Sequence, residues 1–318
     1  MRSPTQPAAS RRAIPSAARE STWHAPDNHP IRRIDWAPPQ DAKGSLLFLP
    51  GRGDAYEKYL EALDHWHAGG RAVTAIDWRG QAGSGRLADD QRTGHVEDFS
   101  YWIDDLAAFW KEWTAATPGP HVVVAHSMGG HLVLRALGER RIAPDAAVLI
   151  APMLGFAGPK LPRALLHGAS KVMTWIGDPQ RPAWKWSERP GEMPEGRIDL
   201  LTHDPARYAD EQYWRDTRSE LAMGAGSWRW MERAIASNRQ VTRASVLRRI
   251  ETPILFVATR VDRLVSASAI RRAHRLLPDS QLLEFGPEAA HEILREVDPV
   301  RDRALDRIDA FLAEKAPA

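Results

Sequence analysis

The 318-residue chain contains no cysteine. That absence excludes disulfides, thiolate metal sites and a cysteine nucleophile, and it suits a reducing compartment, so a cytoplasmic location is expected. No run of about 18 apolar residues occurs, so no transmembrane helix is expected. An excess of one charge sign is also missing: 43 Lys and Arg stand against 41 Asp and Glu, a formal net charge of +2. So balanced a chain offers no electrostatic footprint for nucleic acid, and it has no interleaved basic and aromatic array of the kind single strands need. There is no internal repeat and no Asn-x-Ser/Thr sequon. His291-Glu292 could open a zinc motif, but position 295 is arginine, so the His-Glu-x-x-His spacing fails. No metal and no cofactor is expected.

What the chain has is the composition of a globular protein, 43% hydrophobic and 26% charged, at a length that buries a sizeable core. Residues 1–29 are rich in Pro, Ser, Ala and Arg, and Arg11-Arg12 lacks the apolar run of an export signal, so a disordered tail is expected there. Beyond it, "SLLFLP" (45–50), "AVTAID" (72–77), "HVVVA" (121–125), "AAVLIAP" (146–152), "PILFVAT" (253–259) and "SQLLEF" (280–285) read as strands. Segments of helical period lie between them at 55–68, 98–116, 128–140, 265–277 and 297–314. Strands that are apolar throughout and alternate with helices imply a parallel sheet covered on both faces. The expected fold is α/β, a doubly wound, mostly parallel sheet built from residues 30–154 and 250–318.

The interval 155–249 breaks the alternation, with Pro-rich patches and Trp175, Trp184, Trp186, Trp214, Trp228 and Trp230 but no strand-like run. It is too long for a plain loop. The expectation is a mainly helical cap insertion over the carboxyl ends of the strands, where such sheets bind ligands. Taken singly, each tryptophan reads first as part of the insertion's own small core.

The chemistry starts at "VVVAHSMGGHLVLRAL" (122–137). Three β-branched valines make a buried strand, the segment after Gly130 is helical, and Ser127 occupies the corner between them. Ala125, Gly129 and Gly130 supply the smallness that a strained corner needs, the pattern of a nucleophile elbow. The plain alternative is a Gly-rich turn whose serine caps the helix. A serine hydroxyl attacks only when a base takes its proton and a carboxylate orients that base. Of the 12 histidines, only His291 falls just after the last strand, and Asp262 lies three residues beyond "PILFVAT" at the same sheet end. Asp279, Asp298 and Glu288 are the competing acids. The order Ser127, Asp262, His291 is that of α/β-hydrolases. An oxyanion needs two backbone N–H donors. Met128, directly after the nucleophile, and Arg52, between Gly51 and Gly53 in "LFLPGRGDAYEKY", are the expected pair.

The segments "LPGRGDAYEKYLEAL", "DWRGQAGSGR", "TGHVEDFSYWIDDLAAF", "AHSMGGHLVLRAL", "VDRLV" and "AAHEILRE" resemble the lysophospholipase and monoacylglycerol-lipase branch of the α/β-hydrolases, also called serine aminopeptidase-like hydrolases. The resemblance spans roughly residues 30–315 and implies Ser127, Asp262 and His291 as the triad, with Arg52 and Met128 at the oxyanion hole. Three positions depart from the pattern: Ala125 for the glycine that usually opens the elbow, Pro50 for a histidine, and Thr259 for a glycine. None removes a group that the mechanism requires. The activity implied is ester cleavage through an acyl-enzyme on a lysophospholipid or monoacylglycerol. A serine peptidase and a small-ester carboxylesterase are the alternatives within the class, and a non-catalytic ligand receptor the alternative outside it. Trp175, Trp184, Trp186 and Leu165 are the expected walls of an acyl pocket. The partners implied are a small or lipid ester and, transiently, a membrane surface.

Overall fold

The computed structural model describes residues 11–158, 163–184 and 196–318. Eight strands form one sheet: β1 Ala18–His24, β2 Pro30–Trp36, β3 Ser45–Leu49, β4 Ala72–Ile76, β5 His121–His126, β6 Ala146–Ile150, β7 Ile254–Thr259 and β8 Ser280–Phe285. Their order is β1-β2-β4-β3-β5-β6-β7-β8. The β1/β2 and β2/β4 pairs are antiparallel and every other pair is parallel. All six expected strands are present.

The period-2 pleat divides the strands' apolar residues between two cores. Leu47, Leu49, Val123, Ala125, Leu149 and Phe256 face one, which the helices α2 Ser100–Ala116, α3 Met128–Gly138 and α9 Ala267–Leu276 cover. Leu46, Phe48, Val122, Val124, Ile150 and Val257 face the other, covered by α1 Leu60–Ala68 and α10 Asp298–Lys315. The sheet is therefore doubly wound. Parallel register sets Leu49 beside Ala125 and Thr259 beside Phe285. As a result the loops after β3, β5, β7 and β8 all leave from one edge.

Two expectations need correction. Residues 18–24 are not a disordered tail but strand β1, paired along its length with β2. Its order comes from a backbone ladder and two anchors: Trp23 packs edge-on against Phe109 at 5.3 Å and its Nε1–H donates to Glu112 at 2.8 Å, and Glu20 accepts from the Tyr56 hydroxyl and from Arg218, each at 2.6 Å. Otherwise the strand is polar, so no hydrophobic period announces it. Just before it, the Arg11 and Arg12 Nε–H groups each donate to Asp210 at 2.6 Å. Residues 1–10 lie outside the described part.

The interval 155–249 is helical where described: α4 Arg163–Trp175, α5 Ile198–Leu201, α6 Pro205–Thr217, α7 Trp228–Val241 and α8 Ala244–Leu247. Asp204 caps α6, accepting from the N–H groups of Ala206 and Arg207, with Pro205 at the first helical position. Ser227 caps α7 in the same way through Trp230. However, α7 belongs to the main domain, since Trp230, Ala234 and Val241 join the core over α3. The insertion therefore ends near Ser227, and the sheet's own covering helix follows it directly.

Candidate active site

Strand β5 ends at His126 and α3 starts at Met128, so Ser127 carries the whole reversal of direction. Its φ of 49° and ψ of −113° lie in a region that L-residues avoid, at a cost of about 1–3 kcal/mol. The backbone on both sides is pinned, Ser127 N–H to the Ile150 carbonyl and Met153 N–H to the Ser127 carbonyl, each at 2.9 Å. Gly129 allows the turn: a Cβ there would lie 2.5 Å from the carbonyl oxygens of both Leu49 and Pro50. The corner thus presses α3 onto the end of β3 and leaves the Ser127 hydroxyl half-buried at the sheet edge.

Ser127 Oγ lies 3.0 Å from His291 Nε2, and His291 Nδ1–H donates to Asp262 Oδ2 at 2.8 Å. The remaining Asp262 oxygen accepts the N–H groups of Leu264 and Val265 at 2.8 and 2.9 Å. Burial opposes ionisation of Asp262, but the His291 charge and these hydrogen bonds outweigh it and hold its pKa below the usual value. For His291, burial opposes the charge and Asp262 more than offsets it, so its pKa rises above 6.5. The competing acids are engaged elsewhere: Asp279 pairs with Lys315, Asp298 with Arg207, and Glu288 accepts from the Gly286 N–H. The structure brings the three sequence-expected residues together in hydrogen-bonding order.

The loop after β3 lies on the nucleophile. A Cβ on Gly51 would sit 3.2 Å from Ser127 Cβ. Met128 heads α3, where backbone N–H groups have no intrahelical acceptor. Gln81 bridges the two segments, accepting the Gly53 N–H at 2.8 Å and placing its NH₂ 3.9 Å from Met128 Sδ.

Sequence reasoning assigned no role at the site to Asp54, Lys58, Tyr59, His126 or Glu292. All of them support it. His126 Nε2–H donates to the His291 carbonyl at 3.3 Å, and its Nδ1 lies 2.9 Å from Tyr59 Oη. The Tyr59 hydroxyl donates to Asp54 at 2.7 Å. Lys58 Nζ sits among Asp54, Glu292 and Glu211 at 2.9, 2.6 and 3.2 Å, and Arg295 also pairs with Glu292 and Glu211. Burial opposes charge on Lys58, yet these carboxylates raise its pKa. The only sequence sign was the i,i+4 spacing of Asp54 and Lys58, which on a surface helix would be unremarkable. From the insertion, the Leu200 and Leu201 carbonyls accept the N–H groups of His291 and Glu292 at 3.3 and 2.8 Å.

A cavity of about 600 Å³ opens onto Ser127 and His291. Its lining combines the apolar side chains of Met153, Phe156, Trp184, Trp230, Leu264 and Val265 with the charged Arg52, Asp54, Lys58, Arg197 and Glu292. Trp184 lines it as expected; Trp186 lies outside the described residues. Trp175 and Leu165 do not line it and are 87% and 65% exposed. The cause is the inward face of α4, where His167 donates to Glu232 on α7 and Ser170 is buried, which rotates Leu165 and Trp175 outward. Among the described residues no cluster of His, Asp and Glu could hold a metal ion.

The serine aminopeptidase S33 family profile matches residues 40–298. The chain is 30% identical to lysophospholipase L2 of Escherichia coli (strain K12), over 94% of this chain and 89% of that one. A soluble variant of monoglyceride lipase from Saccharomyces cerevisiae, solved with a substrate analogue, superposes with a TM-score of 0.73 at 14% identity, covering 95% of this chain and 97% of that one. A thermostable carboxyl esterase from Bacillus coagulans superposes with a TM-score of 0.75 at 15% identity, covering 95% and 99%. At such identities the two structures speak for the fold. The profile and the L2 relative settle the family: the chain belongs to the serine aminopeptidase S33 family of hydrolases.

Proposed function

We propose that this chain cleaves the ester of a single-chain lipid, a lysophospholipid or a monoacylglycerol, through an acyl-enzyme on Ser127. In this reading His291 takes the Ser127 proton as the hydroxyl attacks the ester carbonyl, and then gives it to the leaving alcohol. Asp262 fixes the imidazole tautomer and stabilises the imidazolium. The backbone N–H groups of Arg52 and Met128 receive the oxyanion, and water then releases the fatty acid. The broader class, a carboxylic ester hydrolase of the lysophospholipase and monoacylglycerol lipase type, is carried by the family and by the L2 relative.

The observation that carries the finer reading is the cavity itself. Its apolar lining suits one acyl chain, its charged lining suits a polar head, and the Ser127–His291 pair opens onto the same space. Contact with a lipid surface is supported by α4, which hides His167 and Ser170 and exposes Leu165, Val172, Trp175 and neighbouring Ile176. Monomeric proteins rarely expose such a face without a use for it. Among the described residues no helix is long and apolar enough to cross a membrane. The reading therefore has an enzyme that visits the membrane surface.

A peptidase would need free acidic groups for the substrate ammonium. Asp54 and Glu292 line the cavity, but Lys58 and Arg295 already neutralise them. Glu188, Glu192 and Glu195 lie outside the described residues. The test is a fluorophosphonate probe followed by a panel of lysophospholipid, monoacylglycerol, triacylglycerol and aminoacyl-amide substrates. Labelling with preference for the single-chain esters is expected; preference for the amides would assign a peptidase.

A further inference from the structure

We propose that the Arg52 side chain is a positioning residue, a clamp that holds its own backbone N–H over Ser127 by gripping the far side of the cavity. The inference rests on the serine-hydrolase reading above. The loop that carries this N–H is flanked by Gly51 and Gly53, so its backbone has little intrinsic stiffness. On the core side it is held by two hydrogen bonds, Gly53 N–H to Gln81 at 2.8 Å and Gly51 N–H to Asp54 at 3.3 Å. Between these points the Arg52 guanidinium provides a further anchor.

That anchor is well defined. The guanidinium carbon lies 5.1 Å from the Trp184 ring centroid and 4.9 Å from that of Trp230, and Nη2–H donates to the Gly224 carbonyl at 2.7 Å. The partners are braced against one another rather than hanging free. Gly224 N–H donates to Arg92, Gly94 N–H to Ala225, Ser227 N–H to Gly94 and Ala183 N–H to Gly226, at 2.7–2.9 Å. Gly94 leaves the guanidinium its space, because a Cβ there would lie 2.7 Å from Nη2. A planar, delocalised cation can face two indole rings and donate in its own plane at once, which a lysine ammonium cannot. Arg52 thereby ties the oxyanion loop to the segments around Trp184 and Gly224. Trp184 lines the cavity from the insertion side, so seating of the insertion and readiness of the oxyanion site become one event.

The test uses the 318-residue chain with p-nitrophenyl butyrate, whose acyl group is too short to depend on the whole apolar lining. Arg52→Lys and Arg52→Met should lower kcat by about 10–100-fold, the cost of a displaced oxyanion donor, with KM changed less than about twofold. Affinity for a trifluoromethyl ketone, which forms the tetrahedral oxyanion on the serine, should fall by the same factor as kcat/KM. Gly94→Ala keeps the arginine but takes its space, and should shift the same quantities in the same direction by a smaller factor. If the Arg52 variants do not fold, Gly94→Ala carries the test alone. A rise in KM with kcat intact would make Arg52 a substrate contact, and a lowered Tm with both constants intact would make it a strut; either overturns the proposal. No ester turnover by the wild-type enzyme would instead sink the hydrolase reading on which it rests.

Discussion

Along the strand-end wall of the cavity, Asp54, His126, His291 and Glu292 are buried and each is held by at least two partners. The wall supplied by the insertion and α7 is mainly apolar, with Trp184, Leu200, Leu201, Trp230 and Met231 beside one cation, Arg197, and behind it α4 exposes an apolar face. The difference follows from what each wall does. Bond-making groups must already stand in place when charge develops, so their supports are short, buried and mutually satisfied. A wall that reads the length of an acyl chain needs apolar area, which is non-directional.

Variants can break this contrast from either side. Ser127→Ala should produce the largest loss, on the order of 10⁵–10⁶ in kcat, together with the loss of fluorophosphonate labelling. Circular dichroism should be unchanged. Asp262→Asn should cost roughly 10⁴ in kcat with KM nearly intact, because the imidazole is then held in the wrong tautomer. A larger loss from Asp279→Asn or Asp298→Asn would move the acid elsewhere.

The pH profile sharpens the same point. His291 must be neutral to act as a base, and its pKa is raised. Protonation therefore removes activity as pH falls through that raised value, and the acid limb of kcat/KM should lie above pH 6.5, with a tenfold loss per unit below it. Asp262→Asn should move the limb to lower pH. On the other wall, Met231→Ala should leave acetyl-ester turnover unchanged while lowering octanoyl-ester kcat/KM about tenfold, from lost apolar contact. Trp175→Ser should have the smallest effect, with normal turnover of soluble esters and a several-fold weaker partition onto anionic vesicles.

The same contrast governs what the sequence disclosed. Strands β3–β7 were legible because they are mostly apolar runs, β8 because Leu282, Leu283 and Phe285 follow a segment of helical period, and Ser127, Asp262 and His291 because each follows one of these strands at the same edge. Strand β1 escaped notice because its order comes from a backbone ladder, one buried tryptophan and the long-range pairing of Glu20 with Tyr56 and Arg218. The Asp54–Lys58–Glu292 cluster escaped because charges at i,i+4 spacing look the same whether they face water or a cavity. The facing of Trp175 could not be read because it depends on a long-range contact, His167 with Glu232. Helix α7 was folded into the insertion for want of a strand between them.

The division of labour between the walls is tested most directly by kcat/KM across esters whose acyl chain grows from two to eight carbons on a glycerol or glycerophospho head. Burial of each added methylene is worth about 0.8 kcal/mol, so kcat/KM should climb with chain length by up to about fourfold per carbon. Single-chain lipids should outrun triacylglycerol. A flat or falling profile would contradict the account and leave a small-ester hydrolase in its place.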